Sequence, residues 1–548
     1  MILFCLLVSV SCGRVDFEKI ETGETYAGLW ENKRCAVVFD YAEGGDLKGR
    51  LYIDEGRIVA TPTNFSANLK KNGKGVLQVN GQEKPIKVAL AKRGKLQGTV
   101  EEDAFELTLQ RNDDENFHPI YKEECYDVLT TTDIVYAHTN GYWSSYPDED
   151  KNFVGIYLQR APELGAMKEQ PLCMDIYQPA DSSTHLRPVV LMIHGGAFYN
   201  GDKQDETYVK WCRHYASLGY VAVSLNYRMG WAPFKNAIDC AGYRAAQDAN
   251  AAIRHLMHHA DTYRINPDWI FTWGTSAGAI TALNVAFMKD QNRPASVTKE
   301  GTIGKLAPDC PETFHVRAVA NMWGAVHDTS ILANSRIPVI SFHGDADGIV
   351  PYSYGYPFKD MIISTLTSGA LNTVSSAIPE QGKTKDFISK TIGTVMGWGE
   401  KLVSPAWNIV VSPMYGSACI HEYLDRHGIR NQLFTVAGAS QHSLHVDEHR
   451  NIVPYFYTIQ DSVAKFFYTE IVPKPVNLRQ ESDESPFFRI DNAEVSEVHW
   501  QVDGGVVLET SGNRARVMFF GDVKRHVVRV CGKYRNGVEF CEEMIMNR

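Results

Sequence analysis

Between residues 189 and 436 the chain carries six short, nearly continuous apolar runs: Val189–Ile193, Val221–Leu225, Ile270–Trp273, Val316–Ala320, Val339–Phe342 and Leu433–Val436. A strand with one wet face alternates apolar and polar residues, so a strand that is apolar throughout must be covered on both faces, as in a parallel sheet between helical layers. The stretches between the runs supply those helices. Ala249, Ala252, Ile253, Leu256, Met257 and Ala260 recur at helical spacing and predict a helix over Ala245–Ala260 that covers the sheet. Its His255, His258 and His259 read as surface or packing residues. The expected fold class is α/β with a mostly parallel central sheet.

That sheet accounts for only part of a 548-residue chain, which at ~100 to 200 residues per domain should hold two to four domains. The boundaries we read are 1–12 for an export segment, 22–115 for an N-terminal β module, 116–472 for the α/β domain, 473–486 for a linker and 487–548 for a C-terminal β module. In the N-terminal module, Ala36–Tyr41, Lys48–Ile53 and Val76–Val79 alternate and are separated by the turn dipeptides Glu55-Gly56, Asn80-Gly81 and Arg93-Gly94, the pattern of an antiparallel barrel or sandwich. Gly28-Leu29-Trp30 resembles the start of lipocalin-like barrels. The C-terminal module alternates again and is expected to be a β-sandwich. Its Val498-His499-Trp500-Gln501-Val502-Asp503-Gly504-Gly505 resembles immunoglobulin-like domains of the polycystic-kidney-disease type, which accompany many exported bacterial enzymes.

Residues Met1–Val10 are almost wholly apolar and lead into Ser11-Cys12-Gly13, the pattern of an export signal with a lipid-attachment cysteine at Cys12. The run is too short to cross a bilayer as a helix, so the expected membrane contact is only a lipid on Cys12 and the expected location the cell envelope, the periplasm or the exterior. A formal charge of -10, with no basic runs, excludes a phosphate-backbone footprint and hence a nucleic-acid partner. Cys531 and Cys541 should face each other across a hairpin turning at Arg535-Asn536-Gly537, within disulfide reach. No cysteine or histidine cluster has zinc-like spacing, and neither metal nor cofactor is expected.

The strongest chemical signal is Gly274-Thr275-Ser276-Ala277-Gly278, between the apolar run Ile270–Trp273 and the helical stretch Ala279–Phe287. A strand that turns sharply into a helix thrusts its apex side chain outward, and small neighbours let the backbone fold there. Ser276 is the expected nucleophile. His194-Gly195-Gly196-Ala197-Phe198 follows the run Val189–Ile193, and its glycine amides, chiefly those of Gly195 and Gly196, are expected to form an oxyanion hole with the N–H of Ala277. His194 reads as a brace for that loop. A serine hydroxyl needs an imidazole to take its proton and a carboxylate to orient the imidazole. Asp347, in His343-Gly344-Asp345-Ala346-Asp347-Gly348-Ile349-Val350-Pro351, is the expected acid, with Asp345 a turn former and Asp328 a rival. His442, in Gly438-Ala439-Ser440-Gln441-His442, is the expected base, with His445 the alternative.

The order Ser276, Asp347, His442, each after a successive strand, together with the His-Gly-Gly-Ala loop, resembles the α/β-hydrolase superfamily. More narrowly, it resembles the carboxylesterase and hormone-sensitive-lipase-like branch, including bacterial esterases grouped with feruloyl esterases. Asn226-Tyr227-Arg228, Ala245-Ala246-Gln247-Asp248 and Asn266-Pro267-Asp268 fit that branch. The resemblance implies a serine esterase without cofactor, acting on a small-molecule or polysaccharide-linked ester such as an acetyl or feruloyl ester. A serine peptidase would use the same triad, and a non-catalytic hydrolase-like binding or adhesion protein would keep the same scaffold. Two departures stand out: Ala197 replaces the third glycine of the commoner motif, and 351–412 is an insertion that reads as a lid or specificity wall over the active site.

Overall fold

All six apolar runs are strands of one eight-stranded sheet, and five of them extend beyond their apolar centre. The strands are β1 (Val128–Gly141), β2 (Lys168–Pro179), β3 (Arg187–Ile193), β4 (Val221–Leu225), β5 (Ile265–Thr275), β6 (Val316–Met322), β7 (Val339–Gly344) and β8 (Asn431–Val436). Their spatial order is β1-β2-β4-β3-β5-β6-β7-β8. From β4 to β8 every pairing is parallel, while β1–β2 and β2–β4 are antiparallel. This is the mostly parallel α/β arrangement expected from the sequence. The apolar-run criterion misses β1 and β2, because an antiparallel margin can keep one side wet and so mixes Thr, Asp, His and Asn into its apolar positions.

This computed structural model describes residues 20–43, 45–91, 94–110, 121–146, 156, 159–182, 186–231, 235–358, 411–472, 474–491, 494–535 and 538–547. The 1–12 segment, most of the 351–412 insertion and the Asn536-Gly537 loop tip lie outside the described residues. Two compact units emerge: Met1–Pro119 with Lys474–Arg548, and Ile120–Pro473.

In the α/β unit, helices α1 (Glu206–Ser217), α2 (Ala237–His258), α3 (Ala277–Phe287), α4 (Ser417–Arg426) and α5 (Tyr455–Ile471) cover the sheet. Helix α2 begins eight residues before the expected Ala245 start. Its early turns include Arg244, Gln247 and Asp248, which are polar yet buried. They are satisfied locally: Arg228 and Asp248 form a buried ion pair at 2.6 Å, and Gln247 donates to the carbonyls of Glu300 and Thr302. Leaving either partner of such a pair alone in the core would be costly, so this pair fixes the loop after β4 onto α2.

The other unit joins the two ends of the chain. Eight antiparallel strands from Thr25–Trp30 to Asp103–Gln110 close into a barrel, the last strand pairing with the first. The chain beyond residue 474 forms two small antiparallel sheets that share a core of Phe488, Val502, Val517, Phe519 and Val528. Two expectations change. The 473–486 linker carries a strand, Leu478–Gln480, paired to Phe487–Ile490. The terminal modules, read as separate bodies, are continuous: Val59–Ala60 pairs with Phe519 and Phe520, the Tyr52 and Phe520 rings stack 4.1 Å apart, and the Tyr52 hydroxyl donates to Asp522 at 2.8 Å. Sequence patterning marks strands but not which outer barrel face another module covers. Cys531 stands opposite Cys541 in the ladder, and the two are bridged.

Phe520 is buried against Tyr52, Ala36 and Val38 of the barrel. Phe520→Ala should therefore cost about 3 to 5 kcal/mol and shift the barrel and the C-terminal sheets together in thermal unfolding. A variant that loses only the C-terminal sheets, with the barrel transition unmoved, would contradict the shared core.

Candidate active site

Strand β5 delivers Thr275 to the carboxyl edge of the sheet, and α3 starts at Ala277, so Ser276 alone must turn the chain. It does so with φ +53° and ψ −119°, a left-handed conformation that costs a non-glycine residue energy and persists where the surroundings enforce it. The enforcement is visible. A Cβ at Gly274 would collide with the carbonyl of Gly278, and one at Gly278 with that of Ile193. The Ser276 amide donates to the Met322 carbonyl at 2.9 Å, tying the turn to β6.

The loops after β5, β7 and β8 bring the expected trio together. Ser276 Oγ lies 2.7 Å from His442 Nε2, and His442 Nδ1 lies 2.7 Å from Asp347 Oδ2. Because a carboxylate only accepts, the His442 proton sits on Nδ1, which leaves Nε2 free to accept from the serine hydroxyl. The other Asp347 oxygen accepts from the amides of Ile349 and Val350 at 2.7 and 3.2 Å. Burial would push the Asp347 carboxyl upward, but hydrogen bonds from His343 and His442 outweigh it and hold the group well below the ordinary carboxylate range.

His343 is the partner that sequence reasoning passed over. It is wholly buried at the end of β7, with Nε2 at 3.1 Å from the Val350 carbonyl and 3.3 Å from Asp347 Oδ2. Both neighbours accept, so Nε2 carries the proton and Nδ1 accepts from Ser417 at 2.8 Å. Ser417 in turn accepts from Asn321 at 3.0 Å. The acid is thus held by a hydrogen-bonded chain that runs from β6 through α4. Its only trace in the sequence is a histidine four residues before the acid.

The rivals fall elsewhere. Asp328 caps a short 3-10 helix by accepting from the Ser330 amide at 2.8 Å, and Asp345 accepts from the Gly438 amide at 2.6 Å, as a turn former does. His445 lines the same cavity as Ser276, but it stacks on Trp323 with ring centres 5.2 Å apart and is pushed down to about 3 by burial. His194 stacks on Tyr227 at 4.4 Å, its Nδ1 is 2.8 Å from the Gly195 carbonyl, and burial pushes it down to about 4, so it braces the loop as a neutral ring.

The His-Gly-Gly-Ala loop requires one correction. The Gly195 N–H, expected among the oxyanion donors, goes instead to the Tyr208 hydroxyl at 3.0 Å, which also bonds Thr275 Oγ1 at 2.7 Å. A tyrosine 13 residues along the chain gives no motif signal. The amides of Gly196 and Ala197 have no acceptor among the described residues, and Ala197 and Phe198 adopt φ of +52° and +57°. Together with the N–H of Ala277 in the first turn of α3, they are the free donors beside Ser276.

In front of Ser276 lies a cavity of about 340 Å³. Trp323, Ile156, Ile349, Phe358 and Val446 supply apolar wall, and Asp205 and Arg450 supply polar wall. Burial pushes Asp205 up to about 7, against the hydrogen bond it accepts from the Asp202 amide. The ends of the 351–412 insertion are clasped where Tyr354 pairs with Tyr415 and Gly355 with Met414, and Phe358 from its beginning reaches the cavity.

Residues 174–336 match the BD-FAE family model. Gut esterase 1 of Caenorhabditis briggsae is 30% identical over 113 residues, 20% of each chain, and a carboxylic ester hydrolase of Bombus ignitus is 34% identical over 116 residues, again 20% of each. The chain thus spans about a fifth of the length of these relatives. Among solved structures, esterase 2 of Thermogutta terrifontis phosphorylated by paraoxon matches at 18% identity with a TM-score of 0.35, covering 55% of this chain and 90% of that one.

His445 and His194 stay neutral when folded but take up protons near ~6.5 once unfolding exposes them. From about pH 6.5 down toward 4 the unfolded chain binds protons that the folded chain refuses, so stability should fall on acidification. His445→Phe keeps the ring on Trp323 and removes one of these groups. We expect its denaturant midpoint to drop less than that of the parent between pH 7.5 and 5; an equal drop would contradict the buried neutral assignment.

Proposed function

We propose that this chain is a serine hydrolase that cleaves carboxylic esters through an acyl-enzyme intermediate. The observation that carries the reading is the unbroken hydrogen-bonded line Ser276–His442–Asp347, whose proton positions suit a base poised on the serine hydroxyl. Ser276 attacks the ester carbonyl as His442 Nε2 takes its proton. Asp347 stabilises the resulting imidazolium and fixes its tautomer. The amides of Gly196, Ala197 and Ala277 receive the charge on the carbonyl oxygen, where losing one such donor typically costs about 100- to 1,000-fold. His442 then protonates the departing alcohol, and water, activated in the same way, releases the acid. The family-model match and the short alignments to esterases support this reading.

We assign the substrate to polysaccharide-linked esters of acetyl or feruloyl type. The support is the C-terminal pair of sheets, taken as an immunoglobulin-like sandwich of the type that accompanies many exported enzymes, and a 1–12 segment read as an export signal with lipid on Cys12.

Ser276→Ala should abolish hydrolysis of short-chain aryl esters while the melting temperature holds, and undiminished turnover would remove the nucleophile. Asp347→Asn should lower kcat by roughly 10⁴-fold; an unchanged kcat in that variant would count against the orienting carboxylate. Acetylated xylan, a feruloyl ester and an aminoacyl anilide, assayed in parallel, separate the esterase from a peptidase; preference for the anilide would overturn the ester assignment.

A further inference from the structure

Chemistry-bearing side chains also converge at the other edge of the sheet. Helix α2 ends at His258, ahead of β5, and Cys310 and Glu312 lie just ahead of β6, so the three gather at the amino edge while Ser276 follows the carboxyl end of β5. An imidazole nitrogen of His258, the Cys310 sulfur and a Glu312 carboxylate oxygen all lie within 4.8 Å of one another. Around a tetrahedral ion with bonds of about 2.0 to 2.3 Å the ligand atoms stand roughly 3.3 to 3.8 Å apart, inside that limit.

The loop that brings Cys310 and Glu312 here is fixed in advance. The Arg254 guanidinium, one turn before His258, donates to the carbonyls of Gly304, Ala307 and Cys310 at 3.1, 3.0 and 2.6 Å, and also to that of Leu306. Cys310 is buried, whereas His258 is exposed and leaves a path from solvent.

A plain surface ion pair between His258 and Glu312 does not account for all of this. Their Nδ1 and Oε1 atoms are 2.6 Å apart, yet the second oxygen, Oε2, is shut off from solvent with no hydrogen-bond partner among the described residues. An acceptor shut off from solvent without a donor is destabilising, and a cation bound beside Cys310 would satisfy it.

We propose that His258, Cys310 and Glu312 bind one zinc ion, with a solvent molecule completing a tetrahedral shell. Thiolate, imidazole and carboxylate together select zinc over magnesium or calcium, which take oxygen ligands. Binding displaces the thiol proton to solvent, and the two anionic ligands then balance the ion's charge. The bound ion pins the 304–312 loop to the end of α2 and takes no part in ester cleavage. Sequence spacing does not reveal the site, because His258 and Glu312 are 54 residues apart and only the fold joins them.

The test uses the full-length chain, stripped with a chelator and titrated with cobalt(II). We expect one cobalt per chain, a thiolate-to-cobalt charge-transfer absorption in the near ultraviolet, and loss of that absorption when one equivalent of zinc is added. Cys310→Ser should lose the absorption. His258→Gln, at an exposed position where folding is not at risk, should weaken zinc binding by roughly 10-fold or more, taking the loss from a supporting residue of a zinc site as the lower bound. Zinc should raise the melting temperature of the parent more than that of either variant, and aryl-ester turnover should be the same with and without zinc. Absence of a thiolate absorption in the parent, or an unchanged absorption and affinity in both variants, would overturn the site. Either result would leave the Ser276 reading untouched.

Discussion

A carboxylate buried at the end of a sheet is tolerable only if every lone pair is occupied, and Asp347 meets that condition. One oxygen takes two backbone amides, the other faces both His442 and His343, and the charge is therefore held rather than neutralised. Much of the site's geometry follows from this. The imidazole of His442 is oriented because Asp347 is fixed, Asp347 is fixed partly because His343 is braced by Ser417, and Ser417 is held by Asn321 on a neighbouring strand. The serine apex is set independently, by backbone crowding at Gly274 and Gly278. Two rigid constructions, one polar and one steric, thus meet across 2.7 Å.

The parallel sheet and the residues at its carboxyl edge were legible in the sequence because both leave local signatures. A doubly covered strand must be apolar throughout, and a strand-to-helix apex demands small residues at fixed offsets. Ser276, Asp347 and His442 could be placed because each follows such a strand. What escaped was whatever depends on tertiary contact alone. Tyr208 takes the Gly195 amide from a helix across the loop, which moves the free donors one residue on, to Gly196 and Ala197. His343 could be seen as part of a motif, but its contact with Asp347 depends on how the loop after β7 folds back.

The same limit explains the terminal modules. Alternation correctly marked strands at both ends of the chain, and the N-terminal set closes into a barrel, one of the two forms it allowed. It could not show that Tyr52, on the outside of that barrel, is covered by Phe520 from the far end of the sequence, or that Val59–Ala60 adds a parallel strand to the C-terminal sheet. The α/β unit is therefore an insertion within a β unit assembled from both chain ends. Such an arrangement makes the fold of one unit depend on residues more than 460 positions apart, as the Tyr52–Asp522 separation of 470 illustrates.

The central claim, that Ser276 is a nucleophile activated by His442, is tested most directly by a fluorophosphonate, which bonds covalently only to an activated serine. Mass spectrometry of the digested adduct should place one label per chain on Ser276 in the parent and none after His442→Ala. Labelling at another serine, or undiminished labelling of Ser276 without the imidazole, would contradict the account.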